Sequence, residues 1–208
     1  RGQRYTLPVT ESARRLVREK LDILGWDPDR PTVGVNVGAA DRFVNKSWPE
    51  SRLADLIREL YDREPRVQVL LLGGPDEDER MYRLNGMLPW TIHTDSDNTA
   101  VQFVALVDQC DTVFTGDTLA LHVAVARHRG VVAFFGPTCD QEIDLFGRGE
   151  KLISAVACRP CYRGHCPNAD ACAYDVSIDQ AVGAILRTTR FMTDAPVVLA
   201  AEDLRKAG

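Results

Sequence analysis

RVQVLLLGGP, residues 66–75, is the stretch whose reading decides the fold. Arg66 to Leu72 is a β-branched and leucine run without sustained in–out alternation, and Gly73-Gly74-Pro75 stops it. A short apolar run of this kind, bounded by turn residues, reads as a strand buried on both faces. Upstream, TVGVNVG (residues 32–38, after Pro31) has the same character. Between the two, Leu53, Leu56, Ile57 and Leu60 recur at helical spacing from a start near Pro49. Downstream the alternation continues. Helices are expected over Glu77–Leu88, Thr99–Asp108 and Thr118–Arg127, and strands at Thr91–His93, Thr112–Thr115, Val131–Phe135 and Leu152–Ala155. A first helix over Thr10–Leu24 places Ala13, Leu16, Val17, Leu21 and Leu24 on one face and stops at Gly25. Ser177 caps a last helix through Ala181, Val182, Ile185 and Leu186, and residues 193–208 hold a short apolar run and a candidate terminal helix. Non-alternating strands separated by amphipathic helices specify a parallel sheet covered on both sides. Right-handed crossovers make it a doubly wound, Rossmann-like α/β domain.

The expected domain spans residues 31–190, with a cysteine-rich loop at 156–174, a helical lead-in at 1–30 and a tail at 191–208. The chain begins with Arg1 and not Met, so it is read as a piece of a longer protein. Apolar residues make up 45% and charged residues 26%, which is globular composition and excludes a disordered or collagen-like chain. No run approaches the roughly 18–20 apolar residues of a membrane-spanning helix, and no signal-peptide pattern opens the chain. With 25 basic against 30 acidic side chains and no basic cluster, a nucleic-acid partner is not expected. Four of the basic residues are lysine, so Lys46 in a loop suggests a site that wants a compact charge.

Ligands of such sheets bind beyond the carboxyl ends of the strands. The loops expected there are residues 38–49 (GAADRFVNKSWP), 73–80 (GGPDEDER), Gly116-Asp117-Thr118 with His122 one turn later, and Gly136-Pro137-Thr138. Each has a plain structural reading. Glycine after a strand is turn chemistry, Glu77 to Glu79 suit a helix's first turn, and Asp117 or Thr118 serves as a helix cap. Taken together, a helix start with a nearby lysine and histidine is a seat for a diphosphate, because free amides and positive charge converge there. Neither G-x-G-x-x-G nor the P-loop lysine signature is present, which weakens dehydrogenase and NTPase readings.

These four segments resemble, in order, the Gly…Lys-x-Trp-Pro, Gly-x-Pro-x-Glu, Asp-Thr/Ser-Gly-x-x-His and Phe-Gly-Pro-Thr motifs of the ADP-heptose:lipopolysaccharide heptosyltransferases, the family-nine glycosyltransferases. Leu119 stands where that family carries glycine after Asp-Thr. The resemblance implies the C-terminal, donor-binding half of a GT-B enzyme, an inverting glycosyltransferase of cell-envelope lipopolysaccharide synthesis. By position, Lys46 then meets the donor diphosphate and Glu77 the ribose, Asp117 lies near sugar hydroxyls, and Thr118 and His122 hold phosphate or sugar oxygens. Gly116, Gly136 and Thr138 complete the donor-binding set. The catalytic base is expected in the N-terminal domain and so is none of these residues. The implied partners are an ADP-sugar donor and a lipid-linked or oligosaccharide acceptor. The implied location is the cytoplasm, with peripheral contact at the inner membrane through the full-length protein. A GT-B-shaped sugar-nucleotide epimerase and a non-catalytic nucleotide-binding or zinc-loop module are the competing readings.

No cofactor is expected for catalysis. Cys158-x2-Cys161-x4-Cys166-x5-Cys172 has spacing suited to a structural zinc, with two disulfides, free thiols or an iron–sulfur cluster as the other readings. Cys110 lies in an apolar context that favours a buried thiol.

Overall fold

The computed structural model describes residues 6–39 and 41–194. Five parallel strands form one sheet in the order β2-β1-β3-β4-β5. They are β1 (Thr32–Asn36), β2 (Gln68–Leu72), β3 (Thr112–Gly116), β4 (Gly130–Phe135) and β5 (Gly149–Ile153). Register is set by pairs such as Val35↔Leu71, Val35↔Phe114 and Phe114↔Val132. β1 to β4 are buried at every position, as their continuous apolar character requires.

Two apolar cores lie on opposite faces of this sheet. Alternate strand residues Val33, Val35, Val69, Leu71, Phe114 and Phe134 meet α2 (Glu50–Arg63), α3 (Asp78–Met87) and α7 (Ile178–Asp194). Leu70, Leu72, Val113, Val131 and Phe135 meet α1 (Glu11–Ile23), α4 (Ala100–Val107) and α5 (Leu119–Ala126). The short α6 (Ala171–Asp175) precedes α7. The helices start and stop where their caps dictate. Thr10 and Thr99 accept amides at their N-termini, Ser177 and Gln180 cap α7 reciprocally, and Gly25 takes the left-handed φ of +77° just past α1. Among the described residues no helix is long and apolar enough to cross a membrane.

Three expectations need correcting. Thr91–His93 is not a strand: Ile92 alone bridges Leu70, and Asp95 at φ 61° turns the chain away before a ladder can grow. β5 is Gly149–Ile153, displaced from the expected Leu152–Ala155 because it carries its charges within the strand. Lys151 Nζ donates to the Asp140 and Ile143 carbonyls, and Glu150 pairs with Arg187 at 2.8 Å, so an apolar pattern could not mark this edge strand. In α1 only Ala13, Val17 and Leu21 are buried, while Leu16 and Leu24 point to solvent. Residues 195–208 lie outside the described residues, and the last helix runs to Asp194.

Candidate functional site

From β1 the chain crosses through α2 to β2 on one side, then returns to place β3 on the other. Loops leaving β1 and β3 therefore part in opposite directions, and a crevice opens at their carboxyl ends. A cleft of about 550 Å³ occupies that position, within the usual size range of small-molecule sites. It is lined by Asn36, Gly38, Lys46, Gly73 to Glu77, Asn98, Ala100, Phe103 and Asp117 to Ala120 with His122, among others.

Lys46 closes the 3-10 turn Asp41–Lys46. The next residue, Ser47, donates through Oγ to the Val37 carbonyl at 2.9 Å. Trp48 is 1% exposed and stands edge-on to Phe114 and Phe134, with ring centroids 5.0 and 6.1 Å away. The lysine loop is thus nailed to the core directly beneath its charge. Lys46 Nζ lies 3.1 Å from Asp117 Oδ2 and 5.0 Å from the Phe43 ring centroid. His122 Nε2 lies 3.9 Å from the other carboxylate oxygen of Asp117. Gly116 explains how the two loops come so close: a Cβ there would fall 1.8 Å from the Lys46 carbonyl oxygen.

Thr118 precedes α5, yet its hydroxyl caps none of that helix's amides. It faces Thr115 Oγ1 at 2.9 Å and takes a hydrogen bond from Asn36 Nδ2 at 3.3 Å. The start of α5 at Leu119 and Ala120 therefore lines the cleft without a side-chain cap, beside Lys46 and His122. An uncapped helix start with a cation alongside favours a bound anion. On the opposite wall, Glu77 Oε2 accepts the Gly74 N–H at 2.8 Å, and Glu77 packs so tightly on Gly38 that a Cβ there would lie 1.9 Å from its Cγ. Ala100, Phe103 and the exposed Leu119 supply apolar surface at one side.

A family model described as "Glycosyltransferase family 9 (heptosyltransferase)" matches residues 3–171. The chain belongs to this family. It is 30% identical over 115 residues to "Lipopolysaccharide heptosyltransferase 2" of Escherichia coli (strain K12), a match covering 53% of this chain and 32% of that protein. By fold it is similar to the E. coli ADP-heptose LPS heptosyltransferase II structure, at TM-score 0.68 and 20% identity over 91% of this chain and 54% of that one. It is likewise similar to the family 9 glycosyltransferase structure from Veillonella parvula, at TM-score 0.71 and 17% identity over 90% and 55% of the two chains. The chain thus spans about half the length of these solved family 9 structures.

Of the residues singled out in the sequence, Lys46, Glu77, Asp117, Thr118 and His122 come together in this family 9 cleft, and Gly116 forms the close contact behind it. Gly136 and Thr138 are not brought into the lining of this cleft. A Cβ on Gly136 would stand 2.4 Å from Cys172 Cβ, so this glycine makes room for the cysteine loop. Thr138 is buried with an unpartnered hydroxyl. Sequence reasoning passed over Asn36, Phe43 and Phe103. Asn36 had left a signal, since it is a polar side chain set between Val35 and Val37 at the carboxyl end of β1, and its Nδ2 bridges the Gly38 carbonyl (2.6 Å) and the Thr118 hydroxyl.

All six cysteines are free. Cys158, Cys161, Cys166 and Cys172 line one cavity of about 480 Å³ beside the cleft loop, which contributes Asn45 to its wall. Among the described residues no three His, Cys, Asp or Glu stand together as closed metal ligands do. Burial, followed by the neighbouring Cys158, Cys166 and Cys161, pushes the Cys172 thiol up. Cys110 is fully enclosed by the second core, and burial pushes its thiol up to about 12.

Proposed function

We propose that this chain is the donor-binding half of a heptosyltransferase that builds cell-envelope lipopolysaccharide. The carrying observation is the convergence of Lys46, the uncapped start of α5 and His122 on one cleft at the strand ends, opposite a carboxylate wall. The donor is a nucleoside-diphosphate sugar. ADP-heptose is the first choice, because the E. coli structure of similar fold is described as an ADP-heptose LPS heptosyltransferase. In this reading the diphosphate sits over the α5 amides and draws Lys46 away from Asp117. The sugar lies toward Asp117 and His122, and Glu77 faces the ribose.

Transfer breaks the bond between the anomeric carbon and the phosphate oxygen, leaving negative charge on the nucleoside diphosphate. In this reading Lys46, once drawn from Asp117, and the helix-start N–H groups stabilise that charge as it develops, which is the electrostatic contribution these residues make. The base that takes the proton from the acceptor hydroxyl comes from the other half of the full-length protein, and transfer inverts the anomeric centre. The acceptor is lipid-linked or an oligosaccharide, met at the cytoplasmic side of the inner membrane.

The test is a thermal-shift panel of nucleoside diphosphates and their sugars. A ligand at about 100 times its dissociation constant adds roughly 2.7 kcal/mol to stability, which such a panel registers. ADP and ADP-sugars are expected to shift the transition. No shift with any nucleoside diphosphate refutes the reading, and free sugar or epimer formed without acceptor favours an epimerase instead.

A further inference from the structure

Three helices of this chain follow a threonine in extended backbone, with ψ of 149° at Thr10, 161° at Thr99 and 178° at Thr118. Thr10 Oγ1 accepts the Ala13 N–H and Thr99 Oγ1 the Gln102 N–H, each at 3.3 Å, as N-cap side chains do. Thr118 makes no such bond, and the equivalent amide, Leu121 N–H, turns to the Thr118 carbonyl at 3.2 Å. The protons around Thr118 explain the difference. Asn36 Nδ2 must donate to the Gly38 carbonyl at 2.6 Å, which fixes the orientation of this amide, so Nδ2 also donates to Thr118 Oγ1 at 3.3 Å. Thr115 gives its one hydroxyl proton to the Gly116 carbonyl at 3.0 Å. Across the 2.9 Å between the two threonine hydroxyls, Thr118 is therefore the donor and Thr115 the acceptor. The bonds run one way, from Asn36 to Thr118 to Thr115 to the Gly116 carbonyl. Both holders, Asn36 and Thr115, are buried.

We propose, on the donor reading given above, that Asn36 is a positioning residue: it holds the Thr118 hydroxyl off α5 so that the helix start stays uncapped for the donor diphosphate. The first amides of a helix have no partner inside it. An N-cap oxygen takes one of them, from the second or third residue of the helix, here Ala120 or Leu121. Phosphates arriving at a capped start would have to displace that oxygen. Asn36 prevents the competition from the end of β1, within the same cleft that Lys46, Leu119 and Ala120 line. The Thr118 proton is committed to Thr115, so the anion meets backbone amides and Lys46 and not a donating hydroxyl.

The experiment is calorimetric titration of ADP and adenosine into the parent, Asn36→Ala and the double variant Asn36→Ala/Thr118→Val. In Asn36→Ala the freed hydroxyl caps α5 against the phosphates, and a cap of ordinary strength weakens ADP about fivefold while adenosine is unmoved. Adding Thr118→Val removes the competitor and is expected to bring ADP back to within about twofold of the parent. Thr115→Val removes the buried acceptor of the Thr118 proton and should weaken ADP in the same direction, which carries the test where Asn36→Ala does not fold. A double variant that binds ADP no better than Asn36→Ala overturns the proposal, because Thr118 would then be a phosphate contact in its own right. Equal weakening of ADP and adenosine overturns it too, since that marks a general structural effect. ADP affinity unmoved in Asn36→Ala and Thr115→Val overturns this inference and leaves the donor reading standing, whereas a parent that binds no nucleoside diphosphate overturns both.

Discussion

Lys46→Ala separates a phosphate-binding lysine from one that merely pairs with Asp117. A charge-assisted contact to a diphosphate contributes about 1.5–3 kcal/mol. Lys46 must first give up Asp117 at 3.1 Å, a part-exposed ion pair worth about 0.5–1 kcal/mol. The net loss on removing the side chain is therefore about 1–2 kcal/mol, or roughly 5- to 30-fold in the ADP dissociation constant. Adenosine carries no charge for Lys46 to meet, so its affinity should not move. Calorimetric titration of both ligands into parent and variant at one fixed salt concentration reads the difference. Asp117→Asn should act in the opposite direction on ADP, since it frees Lys46 and removes a carboxylate beside the anion. The same change should shrink the advantage of an ADP-sugar over ADP, because the residue nearest the sugar has lost its strong acceptor. Equal weakening of ADP and adenosine by Lys46→Ala would refute this account. Weakening of ADP by both variants would mean that the pair is a strut and that the phosphates bind elsewhere.

Trp48→Ala removes a side chain 1% exposed between Phe114 and Phe134, and chemical denaturation should show a loss of about 3–5 kcal/mol. Gly136→Ala forces a methyl to within 2.4 Å of Cys172 Cβ, so it should cost about 1–3 kcal/mol of stability while leaving ADP affinity unchanged. A change in ADP affinity there would return Gly136 to the donor site. Asp108 is held by Arg127 (2.8 Å) and Arg129 (2.9 Å), with Arg14 of α1 at 3.5 Å. Burial alone would raise its pKa, but the Arg129 and Arg127 guanidinium groups outweigh it and hold the carboxyl below the usual range. A depressed pKa stabilises the fold above the unfolded-chain value near ~4, and that contribution is lost as pH falls through the lower folded value. Asp108→Asn should therefore cost about 1.5–3 kcal/mol at neutral pH. The gap from the parent should narrow in acid, and unfolding curves with a pH-independent gap would contradict this.

Much of the molecule is written locally. Runs such as VLLL at 69–72 and VAFF at 132–135 bury on both faces wherever they sit, so a parallel sheet follows from composition and spacing alone. Helix ends follow from Thr10, Thr99, Ser177 and Gly25, whose side chains or missing Cβ act within a few residues. The loops that hold Lys46, Glu77, Asp117 and His122 were legible for the same reason, since each follows a strand whose end the sequence marks. Strand order was not legible. Which strand lies beside β1 is settled by packing between residues tens of positions apart, and only that order puts the loops after β1 and β3 across one crevice. The same long-range packing decided that Gly136 serves Cys172 while Gly116 serves Lys46, although each is a glycine at a strand's carboxyl end. It also decided that charged Glu150 and Lys151 belong to a strand, because Arg187 of a helix 37 residues on and two carbonyls of the loop just before the strand receive their charges. Sequence periodicity records which faces avoid water, whereas the neighbour that fills each face is chosen only when the chain closes on itself.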